Sequence, residues 1–253
     1  LHCLIIMQYR KILKEEKMDT NKAANPFIFA FILTLVVSLF LSLTATLLED
    51  QIEENIEVDK KKNLIKMIGA DILNMSSEDI VNTYKTSIKE FIVDSEGQER
   101  SDLSIEDLLI IEDKGLGSFT YTYDDKLFYP LYKSEDAIII PISGKGLWST
   151  LYGYFALELD FKTVKGITFY QHGETPGLGA EVDKPWFQNN FIGKKIFNNN
   201  NELVSITVAK GSSRDNIHGV DGISGATVTS NGVTDFLKRA LNNYKPYFDR
   251  NKQ

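Results

Sequence analysis

A long apolar segment near the start of the chain restricts what this chain can fold into. Residues 23–48 contain no charged residue, and the part from Pro26 to Leu48 reads PFIFAFILTLVVSLFLSLTATLL. As a helix this part extends roughly 34 Å, enough to cross the hydrocarbon core of a bilayer. A cleaved signal peptide has a shorter apolar region of about 7–15 residues and a small-residue cleavage site, for which Ala45 is a poor match. The sequence therefore predicts one retained transmembrane helix at 26–48.

Charged residues on either side of this segment predict its orientation. The basic residues before it are Arg10, Lys11, Lys14, Lys17 and Lys22, and the acidic residues after it are Glu49, Asp50, Glu53 and Glu54. The positive-inside rule then places residues 1–25 in the cytoplasm and residues 49–253 on the opposite side of the membrane. Acidic residues count little in this rule, and three lysines at 60–62 lie close to the far end. Met18 is an alternative first residue, which would leave only Lys22 on the cytoplasmic side.

Composition argues against several classes of function. A net charge of −7 with no basic stripe argues against a nucleic-acid partner. Cys3 is the only cysteine, which excludes an internal disulfide, a cysteine-ligated iron–sulfur cluster within the chain and a Cys-x-x-Cys-His haem site. The three histidines are too scattered to predict a metal site. If this chain carries electrons, its carrier is organic.

Residue periodicity predicts a mixed α/β (α+β) fold, with one domain at 49–253 built on a mostly antiparallel sheet with flanking helices. A helix is expected at 50–69, and Ser76 with Asp79 forms a capping box that opens a second helix extending through Phe91 and Ile92. Strands are expected from Ser118 and at 137–142, 151–159, 164–170 and 203–208, and a short helix at 185–197 with Trp186, Phe187 and Phe191 turned inward.

The stretch DGISGATVTS, residues 221–230, leads into an amphipathic helix of about four turns. Candidate N-caps are Thr229, Ser230 and Asn231, with Asp235 then in the first turn. Unpaired N–H groups at such a helix start make an anion site. Taken alone, a loop of this composition is more often an ordinary capped turn.

The wider pattern Asp-x-x-Ser-Gly-Ala-Thr resembles the sequence that flavin transferases recognise when they join FMN through its phosphate to a threonine hydroxyl. This resemblance implies that Thr227 is the attachment point and that Asp221, Ser224, Gly225 and Ala226 form the recognition element. Gly225 and Ala226 would also allow a phosphate to approach the backbone closely.

Three further clusters accompany this motif. In HGETPGLG, residues 172–179, Pro176 and Gly177 fit the centre of a type II turn, and the alternative to a ligand site is a plain hairpin turn. The turn GKGLW, residues 144–148, is expected to place Trp148 in the core. Lys210 follows a strand and is either solvated or close to a phosphate or a reduced flavin.

Four motifs follow one another in the chain: GKGLW, HGETPGLG, VAKG at 208–211 and DGISGATVTSNG at 221–232. In this order they resemble the C subunit of the bacterial sodium-translocating NADH:quinone oxidoreductase, and the resemblance covers roughly residues 20–248. The G subunit of the Rnf-type electron-transport complex shares ETPGLG and Gly-Ala-Thr and is the alternative. A membrane-anchored FMN-binding or sensory module without a pump is a third possibility.

The resemblance implies a single-pass protein of the bacterial inner membrane whose periplasmic domain carries covalent FMN. A flavin transferase would attach the FMN, and the partners would be the other members of a six-subunit translocase, especially the B subunit with its membrane FMN and quinone site and the D and E subunits. The chain would relay electrons from NADH towards ubiquinone or menaquinone, with no catalytic acid, base or nucleophile of its own. The residues that the resemblance places around the flavin are Glu174, Thr175, Gly177, Leu178, Lys210, Ser224 and Thr229.

Overall fold

A computed structural model describes residues 26–213 and 215–252, so the predicted cytoplasmic segment 1–25 lies outside the described residues. The chain divides after Ile56 into two compact units. The helices are α1 Pro26–Leu47, α2 Glu49–Met67, α3 Ser77–Ser87, α4 Pro185–Gln188 and α5 Thr227–Asn251. The strands are β1 Lys89–Asp94, β2 Glu99–Arg100, β3 Leu109–Asp113, β4 Ser118–Tyr123, β5 Lys126–Lys133, β6 Ala137–Lys145, β7 Thr150–Glu158, β8 Val164–Gln171, β9 Thr207–Val208 and β10 Gly219–Val220.

Helix α1 is the apolar segment predicted from the sequence. It has 22 residues, an 18-residue window of it has a mean hydropathy of 2.6, and by length and composition it can cross a membrane. The hydroxyls of Thr34, Ser38, Thr44 and Thr46 each donate a hydrogen bond to a carbonyl three or four residues earlier. These polar side chains are therefore satisfied within the helix, as a hydrocarbon environment requires.

The second unit is built on one large sheet with the strand order β2-β1-β5-β6-β7-β8, to which β3 and β4 are added by pairing of β4 with β5. Every pairing in this sheet is antiparallel. The short strands β9 and β10 form a separate parallel pair. The predicted fold class, a mixed fold on a mostly antiparallel sheet, is confirmed.

Strand β6 is buried on both faces because helices cover the sheet on each side. Ile138, Ile140 and Ile142 point into a core that includes α5, whereas Ala137 and Ile139 point into a second core with residues of α2 and α3. This alternation follows from the period of two along a strand.

Two sequence-based expectations need correction. Ser76 does form a capping box with Asp79, but α3 ends at Ser87, so Phe91 and Ile92 belong to β1. Ile88 has extended backbone angles, and the following apolar residues pair with β5, a tertiary contact that overrides helical spacing. The run at 203–208 forms only the two-residue strand β9, since Val204 and Ser205 both donate backbone hydrogen bonds to the Ile196 carbonyl.

The predicted short helix after Pro185 is present only as α4 and one 3-10 turn, Asn189–Phe191. Phe187 and Phe191 are buried as expected, but Trp186 is 47% exposed, and its indole N–H donates to Glu181.

Candidate functional site

The HGETPGLG loop forms the predicted turn directly after β8. Leu178 N–H donates to the Thr175 carbonyl at 3.1 Å, and Gly177 has φ +75°. Proline followed by glycine at positive φ is the signature of a type II turn. The turn leaves Leu178 42% exposed and brings Gly179 against Glu174, where an added Cβ would lie 2.5 Å from the carboxylate.

Glu174 is the centre of this site because its buried carboxylate joins three separate segments. It accepts hydrogen bonds from the amides of Leu147, Trp148 and Ser149 at 3.2, 2.9 and 3.1 Å. It also accepts one from the Thr229 hydroxyl at 2.7 Å. The GKGLW turn, the HGETPGLG loop and the start of α5 are thereby held together.

The hydrogen bonds to Glu174 outweigh the effect of its burial on its acidity. Burial alone raises the pKa of this carboxyl, but the bonds from Thr229 and the three backbone amides lower it more, so the net pKa lies below its ordinary value. Glu174 is therefore a carboxylate at neutral pH. Both of its oxygens accept hydrogen bonds from the protein.

Helix α5 begins earlier than the sequence indicated. Its first residue is Thr227 and its N-cap is Ala226, and no side chain among the described residues caps it. The turn before it fixes this start, since Ala226 N–H donates to the Ile223 carbonyl at 3.1 Å and Gly225 has φ +75°. The predicted N-caps Thr229 and Ser230 therefore lie inside the first turn, Asn231 follows them and Asp235 lies beyond it.

The two threonines of the first turn have opposite environments. Thr229 is only 1% exposed, and its hydroxyl is bound to Glu174. Thr227 is exposed at the first position of the helix. Thr229 therefore supports the site from beneath, whereas the Thr227 hydroxyl is accessible for modification.

A groove of about 260 Å³ lies in front of Thr227. It is lined by the loop that follows β9, including Lys210 and Gly211, and by the loop that includes Ser224 and Gly225. Gly222 fits there only because it lacks a side chain, since an added Cβ would lie 1.9 Å from the Ala209 carbonyl oxygen. Lys210 is exposed at this groove, so its ammonium group can reach an anion at Thr227.

Asp221 stabilises this loop rather than lining the groove. Its carboxylate accepts a hydrogen bond from Ser213 N–H at 2.5 Å, and Gly222 N–H donates to the Gly211 carbonyl at 3.0 Å. Of the predicted recognition residues, Ser224 and Gly225 line the groove, while Ala226 is buried beneath it.

Large apolar side chains near this site are exposed, and local sequence patterns did not predict this for most of them. Trp148 is 71% exposed, so the prediction that it lies in the core is wrong. The three amides of its turn bind Glu174, which turns Leu147 and Trp148 outward, and Leu147 is 51% exposed. Val228, beside Thr227, is 53% exposed. In the sequence, the only sign of this exposure is that two large apolar residues follow a glycine. The contact with Glu174 that turns them outward joins residues more than 20 positions apart, so no local pattern indicates it.

These features fit a phosphate linked to a flat aromatic ring. An uncapped helix start without an acidic residue in its first turn favours an anion, and Lys210 adds a positive charge. Leu178 lies against Gly225, where an added Cβ would be 2.8 Å from the leucine Cδ2. The anion site and the exposed apolar side chains are therefore close together, as FMN requires.

Comparisons with known proteins agree with this fit. A family model described as "FMN-binding domain" matches residues 146–242. The C subunit of the Na(+)-translocating NADH-quinone reductase from Haemophilus ducreyi is 37% identical over 213 residues, covering 78% of this chain and 81% of the relative. Its counterpart from Vibrio anguillarum is 51% identical over 106 residues, covering 41% of this chain and 42% of the relative. A crystal structure of the same protein from Parabacteroides distasonis has a TM-score of 0.59 and 32% identity, covering 79% of this chain and 96% of that one.

Proposed function

The chain belongs to the family formed by the C subunit of the Na(+)-translocating NADH-quinone reductase, and from this membership we propose that it carries FMN esterified to Thr227 and relays electrons within that complex. As a member of this family it is one part of the complex and has an FMN-binding domain, and it is not an enzyme by itself. Bound FMN supplies the electron transfer. The chain's residues hold the cofactor and set its surroundings.

The observation that carries the proposal is the exposed hydroxyl of Thr227 at an uncapped helix start. The step would join Thr227 Oγ1 to the phosphorus of the FMN part of a flavin dinucleotide, with cleavage of the phosphoanhydride bond, release of a nucleoside monophosphate and loss of the hydroxyl proton. First-turn amides of α5 and the ammonium group of Lys210 would stabilise the phosphate oxygens. We propose that a separate flavin transferase makes this bond once and recognises Asp221, Ser224, Gly225 and Ala226.

Exposed apolar side chains around the groove would cover the flavin ring. Leu178 supports this role because it lies against Gly225, within two residues of Thr227. Leu147 and Trp148 are held outward by the Glu174 carboxylate, so they would form a second wall. Thr175 and Gly177 would approach the ring through the backbone of their turn, while Glu174 and Thr229 act from beneath.

We propose that the domain at 49–253 faces the periplasm, with α1 as its single-pass anchor in the inner membrane. The charge distribution around the apolar segment supports this orientation. A compartment without a pool of FMN would favour a covalent bond, because a cofactor held by contacts alone could dissociate and not be replaced. The neighbours in electron transfer would be other members of the complex, especially the B, D and E subunits.

In-gel fluorescence tests the attachment site. The full chain and a Thr227→Ala variant are produced with a flavin transferase, denatured in SDS and illuminated with ultraviolet light. We expect a fluorescent wild-type band and a dark Thr227→Ala band at equal protein level. Ser212→Ala is the matched control, since it removes an exposed hydroxyl from the loop after β9 and should keep fluorescence. A dark wild-type band, or a fluorescent Thr227→Ala band, would overturn the proposal.

A further inference from the structure

A second cavity, of about 540 Å³, lies within the sheet and shares no lining residue with the Thr227 groove. Its volume is in the range of small-molecule sites, roughly 300–1,000 Å³. One of its lining residues, Arg239, is twelve positions after Thr227 on α5, which corresponds to roughly 18 Å along a helix axis. The cavity is therefore separate from the proposed FMN site.

A fork in the strand pairing creates this cavity. Strand β5 pairs with β4 through residues 126–128 and with β6 through residues 132–133, which leaves residues 129–131 without a partner on that side. The fork closes at its far end, where Lys145 N–H donates to the Leu116 carbonyl at 3.1 Å. Pro130 and Pro141 line the opening, which suits proline because it has no N–H for a neighbouring strand.

Aromatic rings form much of the cavity wall. The tyrosines that line it are Tyr121, Tyr129, Tyr132, Tyr152, Tyr154, Tyr170 and Tyr244. Several of these rings touch one another, as do Tyr132 and Tyr154, with centroids 5.8 Å apart, and Tyr154 and Tyr170, at 5.3 Å. Such a wall favours a flat aromatic ligand.

The tyrosine hydroxyls supply hydrogen-bond donors at this wall. Burial raises the pKa of Tyr170 to about 12 and raises the pKa values of Tyr121 and Tyr132 further, so these groups stay protonated near neutral pH. Within the described part of the chain, the hydroxyls of Tyr121, Tyr132 and Tyr170 have no hydrogen-bond partner. These hydroxyls are therefore free to donate hydrogen bonds to a ligand with an acceptor group.

The charges at the cavity are both positive. Among the described residues that line it, only Lys60 and Arg239 carry a charge. The Nε atom of Arg239 is buried and has no hydrogen-bond partner in the described part of the chain. A buried N–H donor without an acceptor is unfavourable, so an acceptor is missing here, and an anionic one would also match the two positive charges.

Nearby carboxylates do not supply that acceptor. Glu90 accepts a hydrogen bond from the Tyr84 hydroxyl, and Glu112 accepts one from the Tyr152 hydroxyl at 3.3 Å. Neither is among the residues that line the cavity, and no ion pair joins either to Arg239 in the described part of the chain.

We propose that this cavity is a binding site for a planar aromatic anion, whose ring packs between the tyrosines and whose carboxylate or similar group pairs with Arg239. The site is independent of FMN attachment.

Calorimetric titration of the full chain in detergent with 2-naphthoate tests this proposal, after subtraction of a blank titration into detergent alone. Its neutral counterpart, 2-naphthamide, has the same rings without the charge. We expect 2-naphthoate to bind wild type about tenfold or more tightly than 2-naphthamide, since a charged hydrogen bond contributes about 1.5–3 kcal/mol. Equal affinities of wild type for the two compounds, or no binding of 2-naphthoate to wild type, would overturn the proposal.

Arg239→Gln should lose about tenfold or more of the affinity for 2-naphthoate. Lys238→Gln is the matched control, because Lys238 is the exposed neighbour on the same helix and does not line the cavity. Thr227→Ala should bind 2-naphthoate as wild type does, which separates this site from the FMN site. Equal losses in Arg239→Gln and Lys238→Gln, with both proteins folded by circular dichroism, would contradict the role of Arg239.

Discussion

Glu174 shapes the candidate site through its hydrogen bonds to other segments of the chain. Its carboxylate is 6% exposed and accepts four hydrogen bonds from two other segments. A carboxylate has about four lone-pair positions, so its acceptor capacity is used. This arrangement fixes the turn that carries Trp148 and the first turn of α5 relative to each other.

Glu174→Gln should destabilise the domain by about 2–3 kcal/mol, because the amide replaces one acceptor with a donor that faces backbone N–H groups. Urea unfolding followed by circular dichroism measures this loss. Glu158→Gln is the control, since Glu158 is an exposed glutamate at the end of β7. A loss no larger in Glu174→Gln than in Glu158→Gln would contradict the role of the buried carboxylate.

The lowered pKa of Glu174 predicts a pH dependence of this difference. The pKa in the folded state lies below the unfolded value of about 4.3, so the contribution of Glu174 is fully present above that pH and decreases as the pH falls through the folded pKa. The stability difference between wild type and Glu174→Gln should therefore be constant near neutral pH and shrink in acid. Urea midpoints between pH 7 and pH 3.5 measure it, and a difference that grows in acid would contradict this sign.

At the scale of secondary-structure elements, the site depends on a close approach between β6 and α5. An added Cβ at Gly232 would lie 2.2 Å from the Lys145 carbonyl oxygen, and one at Gly144 would lie 2.2 Å from Phe236 Cβ. Both obstacles include atoms that cannot rotate away. The glycines therefore let α5 lie close to the strand that carries the GKGLW turn.

Gly232→Ala should destabilise the domain by about 1–3 kcal/mol through overpacking, although alanine normally favours a helix over glycine by about 1 kcal/mol. It should also lower the fraction of chains with covalent flavin, because α5 must shift. Gly166→Ala is the control, since its added Cβ would meet Met67 Cε at an ordinary 3.5 Å. Thermal unfolding compares the two variants, and a Gly232→Ala protein as stable as wild type would show that the approach is not tight.

Local patterns predicted those elements whose residues determine them locally. The Ser76 capping box, the Pro176-Gly177 turn and the central strands β6, β7 and β8 follow from neighbouring residues. Strands β1 and β5 and the end of α3 depend on partners far along the chain.

The site was predictable to the same extent. Its motifs were visible in the sequence, but the contacts of Glu174 with Leu147, Trp148 and Thr229 are tertiary contacts. The sequence therefore predicts the residues of the candidate site but misjudges which large apolar side chains face outward.

At the scale of the whole molecule, the proposed orientation would put residues 1–25 and the FMN-binding domain on opposite sides of the membrane. Cys3 is the only cysteine and lies in the predicted cytoplasmic segment, outside the described residues. A Glu135→Cys variant adds a second cysteine in the exposed turn between β5 and β6.

A membrane-impermeant maleimide should label the cysteine of Glu135→Cys in cells whose inner membrane is intact, and Cys3 only after that membrane is permeabilised. Peptide mapping of the labelled protein distinguishes the two positions. The wild-type chain, with Cys3 alone, is the control for leakage. Labelling of Cys3 but not of position 135 in intact cells would show the opposite orientation. The domain would then face a compartment that has FMN, and the argument for a covalent cofactor would fail.

The central claim is that the Thr227 hydroxyl is esterified to FMN, and the intact mass of the chain tests it most directly. Wild-type protein produced with a flavin transferase should be heavier than its translated sequence by one FMN less one water, and Thr227→Ala should have its translated mass. Thr227→Ser keeps a hydroxyl and serves as the conservative comparison. A wild-type chain at its translated mass, or a Thr227→Ala chain that keeps the added mass, would contradict the account.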